Sequence, residues 1–247
     1  MRPRFVMLPL LCLPVMLHAQ VGKFPPDSLV NTKVIPHSTP VPQVIGAMRN
    51  ITIGLGVRCP FCHVGEEGKG LETFDFPSDK KRTKLVARQM MRMVADINKR
   101  LDTIPERPSV GVEVTCRTCH RGVSRPMPLY QVIQEAAKAG GADSAVRTYA
   151  ALREKFMDRD AYDFGESSLN VAAFRLARED KHFDDALILL ATNEKNFPGS
   201  SGLAVFRGNI LLMKGDSSGA ADAFREAIKR DSTNGEARGR LRDLGRG

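Results

Sequence analysis

The sequence predicts an all-α protein, and three observations carry that expectation. Apolar residues recur at helical spacing, as in Val86, Met90, Met93, Ile97 and Leu101, which follow one another at intervals of 4, 3, 4 and 4. Helix starts and stops are written in proline, glycine and short polar residues: Thr39-Pro40-Val41-Pro42 opens one pattern, and Gly54 and Gly56 close it. In the C-terminal half, Ala186, Leu190 and Pro198 return as Ala220, Phe224 and Ser232, each 34 residues later. A fixed period of that length is the mark of stacked helix hairpins.

The chain begins Met1-Arg2-Pro3-Arg4, continues as an apolar run from Phe5 to Leu17 and ends that run with His18-Ala19-Gln20. A basic start, a short apolar run and a small residue read as a signal peptide over 1–20, cleaved after Ala19, which would place the mature protein in the periplasm or outside the cell. The run is shorter than the roughly 20 apolar residues a spanning helix needs. Cys12 would be discarded with it. A lipid anchor there is disfavoured, because Leu11 stands where a small residue is expected.

Four cysteines remain, Cys59, Cys62, Cys116 and Cys119, in two C-x-x-C pairs. Short-loop disulfides would close very small rings and stabilise little. A four-thiolate zinc site is disfavoured by spacing, since 53 residues lie between the pairs, against roughly 15–20 in common zinc modules. Neither idea accounts for the next residue, which is histidine both times: Cys59-Pro60-Phe61-Cys62-His63 and Cys116-Arg117-Thr118-Cys119-His120. C-x-x-C-H attaches a c-type haem. On one helical turn the two thiols share a face and can bond the two vinyl groups along one haem edge, while the histidine turns its imidazole to the iron. Two motifs imply two covalently bound haems, and Pro60 is tolerated because a first turn does not need its missing N–H.

The sixth ligand decides whether such an iron carries electrons or binds small molecules. A helix with Val44, Ile45, Met48, Ile51 and Ile53 on it precedes the first motif, and the glycine turn lets it fold back over the haem. Met48 is its one methionine; the residues alone leave it as ligand or as core filler. A second helix, started by the capping pair Ser78-Asp79 and running from Lys80 to Leu101, buries the stripe that holds Met90 and Met93, with Met91 offset from it.

Three stretches resemble the cytochrome subunit of photosynthetic reaction centres and the smaller exported multihaem cytochromes related to it. They are Met48-Arg49-Asn50-Ile51-Thr52-Ile53-Gly54-Leu55-Gly56-Val57-Arg58-Cys59, Val86 to Asn98, and Cys116-Arg117-Thr118-Cys119-His120-Arg121-Gly122. In that family a helix ahead of each motif usually supplies a methionine. The resemblance therefore implies Met48 as second axial ligand of the first iron and Met93 of the second, with Met90 as fallback. It covers residues from about 35 to 125. The subunit resembled carries four motifs and this chain two. His37, the one histidine of this half outside the motifs, is expected in an exposed proline-rich arm.

Residues 21–125 thus read as a dihaem domain and 126–247 as a second, helical one. Over 21–128 there are 17 Lys and Arg against 10 Asp and Glu; over 129–247 the two counts are 18 and 18. The excess cations gather in Lys80-Lys81-Arg82-Thr83-Lys84 and at Arg88, Arg92, Lys99 and Arg100. They form either a solvated face or one that steers an acidic redox protein or a membrane-bound electron-transfer complex. Nucleic acid does not suit an exported chain. After Gly122 to Pro128, a linker, the 34-residue period is that of the tetratricopeptide repeat. A weaker copy lies at Ala142 to Tyr149, Gly208 takes a small-residue position, and Glu236 to Leu244 reads as a polar closing helix. Such hairpins bury their apolar faces only by stacking, and the array would bind a partner, self-associate or pack on the haem domain.

Two functions follow. The first is an exported electron carrier with a repeat module. The second is a dihaem enzyme such as a peroxidase, or a haem-bearing scaffold. An enzyme needs one iron without its methionine and a distal acid or base, and no histidine lies between the motifs to serve.

Overall fold

The computed structural model describes residues 23–106 and 111–246. The expected signal segment 1–20, with Cys12, lies outside the described residues. Among the described residues the protein is all-α, with nine α-helices and one isolated antiparallel bridge, Val64 to Asp75, in place of any strand. Two compact units form: residues up to Thr52 together with Arg58–Gly111, and Ile53–Val57 together with Val112–Gly247.

In the first unit, α1 (Val41–Leu55) follows the prolines and runs up to the glycine pair, as its sequence dictates; its last turn belongs to the second unit. A 3-10 turn at Cys59–Phe61 carries Pro60 in its first positions. α2 spans Arg82–Leu101. It begins later than the Ser78-Asp79 cap predicts, because Asp79 is engaged elsewhere: its carboxylate pairs with Arg88 at 2.9 Å and Lys84 at 3.1 Å. Lys84 is buried and donates to the carbonyls of Phe76, Pro77 and Ser78 at 2.7, 3.0 and 2.8 Å. A buried ammonium is tolerable only when paired and hydrogen-bonded in this way. Arg88 and Asn31 complete the cluster, Arg88 donating to the Asn31 carbonyl at 2.8 Å and the Asn31 amide to Pro77 at 2.6 Å. The N-terminal arm is thereby tied to α2, and His37 on it is exposed.

The apolar stripe of α2 departs from expectation. Val86, Met90 and Met93 are 41, 39 and 45% exposed. Phe74 is the one apolar side chain of this unit's described residues that is buried, at 9% exposure. It lies against Gly65, where an added Cβ would meet its ring at 2.4 Å.

In the second unit, α3 (Cys116–His120) is the second motif itself. α4 (Leu129–Phe156) is interrupted by non-helical backbone at Gly140 and Gly141. α5 (Glu166–Glu179), α6 (Phe183–Asn196), α7 (Ser201–Lys214), α8 (Ser217–Arg230) and α9 (Gly235–Asp243) follow, each packed on the next. Asp185 on α6 accepts the Ala142 N–H at 3.1 Å, satisfying a donor left free where α4 restarts. One core gathers Ile133, Tyr149, Phe164, Leu176, Leu189, Leu190 and Leu203; a second holds Ala204, Ala220, Phe224, Ala237 and Leu241. Gly208 is required by its neighbour, since a Cβ there would meet the Phe224 ring at 2.4 Å. Asn193, fully buried, donates to the Glu166 carbonyl at 2.7 Å and to Asn170 at 2.9 Å, fixing α6 against α5 by direction as well as by shape.

Candidate haem-binding sites

The first motif winds one tight turn. The Cys62 and His63 N–H groups both donate to the Cys59 carbonyl, at 3.2 and 2.9 Å. Two groups from the start of α2 hold this turn from outside: the Lys81 ammonium donates to the Pro60 carbonyl and the Thr83 hydroxyl to that of Phe61. His63 is half-buried, with the Phe76 ring edge-on at 4.9 Å between centroids. Its Nδ1 is buried and has no hydrogen-bond partner. Burial, reinforced by the cations Lys84, Arg88 and Lys81 and opposed by the pull of the Phe76 backbone, holds its pKa below the ordinary histidine value. The imidazole is therefore neutral at physiological pH, the form that ligates a metal. Burial likewise pushes the Cys62 thiol up.

The second motif is a five-residue helix, Cys116–His120, entered through Thr115, whose N–H donates to the Thr118 hydroxyl at 2.9 Å. Behind it the chain turns sharply, with Arg121 at φ 48° and Gly122 at φ 88°. That turn brings the Val123 carbonyl to His120 Nδ1, 2.9 Å away. A carbonyl only accepts, so Nδ1 carries the proton and the lone pair lies on Nε2. A carbonyl bonded to one ring nitrogen in this way fixes the tautomer and orientation that a metal-ligating histidine needs.

The glycines before Cys59 have a second duty. Gly122 N–H donates to the Gly54 carbonyl at 2.8 Å. A Cβ at Gly56, whose φ is +65°, would come within 1.9 Å of the Gly122 oxygen, and one at Gly54 within 3.1 Å of the Arg117 nitrogen. The end of α1 thus presses its bare backbone against the second motif.

The remaining predicted residues are placed less closely. Met48 sits half-buried on α1, whereas Met93 and Met90 are exposed on α2. Met127, which sequence reasoning left in the linker, borders a cavity of about 590 Å³ together with Cys119, Tyr130 and Tyr162. Its short proline-flanked setting carries no periodic signal that would have marked it.

All four described cysteines are free thiols, each pair followed by a neutral or tautomer-fixed imidazole on the same turn. This donor set fits a covalent haem, with the lone pair of His120 on Nε2. The class of protein so defined is a c-type haem protein. Residues 58–162 match the model of the photosynthetic reaction centre cytochrome C subunit family. No curated protein matches the chain. The match spans both motifs, begins beyond Met48 and supports a covalently bound c-type haem and a role in haem-based electron transfer. No helix among the described residues is long and apolar enough to cross a membrane.

Proposed function

We propose that the chain is an exported dihaem c-type cytochrome that carries electrons between redox partners, with its C-terminal helices acting as a tetratricopeptide-like module for interaction or assembly. The observation that carries this reading is the His120 tautomer, held by the Val123 carbonyl 2.9 Å away so that Nε2 is the donor, in a turn whose two thiols stand beside it. Cys59, Cys62 and His63 would hold one haem and Cys116, Cys119 and His120 the other, with Met48 and Met93 as sixth ligands and Met90 as fallback for Met93.

A bound haem supplies the one-electron couple of its iron. The protein's part is to set ligands and surroundings. With Met48 and Met93 as ligands, their thioethers would favour the reduced iron and would leave no position for oxygen or peroxide. The Lys81 and Thr83 bonds keep the first turn in ligating geometry, and Val123 does so for the second. The excess cations of the N-terminal half favour an acidic redox protein or an anionic membrane-bound complex as partner. Of the α2 cations, those not engaged by backbone carbonyls are the ones available for steering.

The test is spectroscopic. Purified protein should show two haems per chain and the weak red-end band of a Met–Fe(III) bond; Met48→Ala and Met93→Ala should each remove about half of it. A band that neither substitution alters would defeat the ligand assignment, and protein purified without covalent haem would defeat the whole reading.

A further inference from the structure

The two candidate imidazoles are held by different means. His120 has the Val123 carbonyl on Nδ1 at 2.9 Å, whereas Nδ1 of His63 is buried without a partner at hydrogen-bond geometry. What His63 has instead is a ring: Phe76 stands edge-on to it, with 4.9 Å between centroids and 68° between planes. Phe76 is in turn packed by Phe74 and by Phe24, each at 5.6 Å. We infer that Phe76, and Phe24 acting through it, are positioning residues for His63, so that the N-terminal arm from Phe24 to Lys33 sets and shields this imidazole. The inference rests on the assignment of His63 as ligand of a haem bonded to Cys59 and Cys62.

Three observations support it. The contact carries direction: a ring's edge is positive and its face negative, so an edge-to-face pair has a preferred angle and Phe76 resists rotation of the imidazole. Phe76 is itself fixed. Phe74, stacked on it with 22° between planes, is the buried side chain that lies against Gly65, and Lys84 donates to the Phe76 carbonyl at 2.7 Å. Finally, Phe24 is brought to this stack by a segment that has no helix of its own, since among the described residues none precedes Val41. Hydrogen bonds hold it there. The Asn31 amide donates to the carbonyl of Pro77, the residue next to Phe76, at 2.6 Å; Arg88 donates to the Asn31 carbonyl at 2.8 Å and Arg92 to that of Lys33 at 3.3 Å. Asn31 has φ 59°, a left-handed conformation that asparagine tolerates better than most residues with a side chain.

Removing the arm's ring has a signed consequence. Water admitted beside His63 stabilises the more highly charged oxidised iron, so the potential falls. In the full-length holoprotein a redox titration should resolve two steps, and the step missing from Cys59→Ser/Cys62→Ser protein is that of the first site. Phe24→Ala removes the ring, Asn31→Ala removes the Pro77 bond and strains the left-handed turn, and neither changes a charge. Each should lower the first-site step with helix content by circular dichroism unchanged, and each should broaden the low-spin ferric resonance of that haem, because its imidazole then samples more orientations. The other step should stay in place. Phe24→Tyr, which keeps the ring, should titrate as the wild type does. If the double serine variant fails to fold, the two arm variants identify the step by moving the same one; if one arm variant fails to fold, the other carries the test. A first-site step that stays at the wild-type value, or two steps that move equally, overturns the inference. A wild-type peptide map lacking haem on Cys59 and Cys62 overturns the underlying assignment instead, whatever the arm variants do.

Discussion

A single methyl group added at residue 56 would collide with a backbone oxygen 1.9 Å away. Gly56→Ala should therefore destabilise the protein by at least about 1–3 kcal/mol, the cost of a left-handed alanine alone, and the clash adds to that. Urea unfolding of the purified variant should show the lower midpoint. At this scale the sequence was legible in type more than in purpose. Gly54 and Gly56 read as a helix stop, and α1 does end there, but their approach to Gly122 joins residues far apart in sequence and leaves no local pattern. The same holds for His63 and His120. The motif makes both the expected ligands, yet nothing in it says that the Val123 carbonyl would meet Nδ1 of one imidazole while Nδ1 of the other is buried without a partner at hydrogen-bond geometry.

At the scale of elements, α2 shows how a charge run can be misread. Its cations first appear as one basic face, but Lys81 and Lys84 are bound to carbonyls and Arg88 is shared between Asp79 and Asn31. Hydrogen bonds from Arg88 above all, then Asn31 and Lys84, hold the Asp79 carboxyl well below its ordinary range. Because its folded pKa is depressed, its contribution is full above the ordinary carboxylate pKa of about 4 and is lost as pH falls below that value toward the depressed one. Hydrogen exchange of residues 23–33 should accordingly quicken on acidification in the wild type. Asp79→Asn should show the quicker exchange already at neutral pH; an arm equally protected in that variant would mean the carboxylate does not hold it. The helix boundaries were otherwise legible, because Pro40, Pro42, Gly54 and the polar start of α9 act locally. The burial of the α2 stripe was not, because periodicity reports that a face is apolar and not what covers it.

Across the whole molecule, apolar burial is uneven. The second unit holds two cores of its own, whereas the described part of the first has Phe74 and a network of polar clamps. Units with such different cores should lose structure at different free energies. In Cys59→Ser/Cys62→Ser protein, exchange protection of residues 59–76 should fall while that of α5 to α8 stays at the wild-type level. A parallel loss in both would show the units to be one cooperative block. Packing in the second unit was legible at Gly208, a small residue standing where the Phe224 ring must fit.

The unequal surroundings of the two imidazoles also set a direction. His120 donates its Nδ1 proton to a carbonyl at 2.9 Å, whereas His63 Nδ1 has no partner at hydrogen-bond geometry, only the weaker pull of the Phe76 backbone, and has three cations near it. Both differences favour the reduced state at the first site. If each motif holds a haem, as proposed, the two would not be equivalent stores: the potential would slope upward toward the His63 site. Replacing Lys84 by Met should lower the upper of the two potentials and flatten that slope, as a redox titration would record.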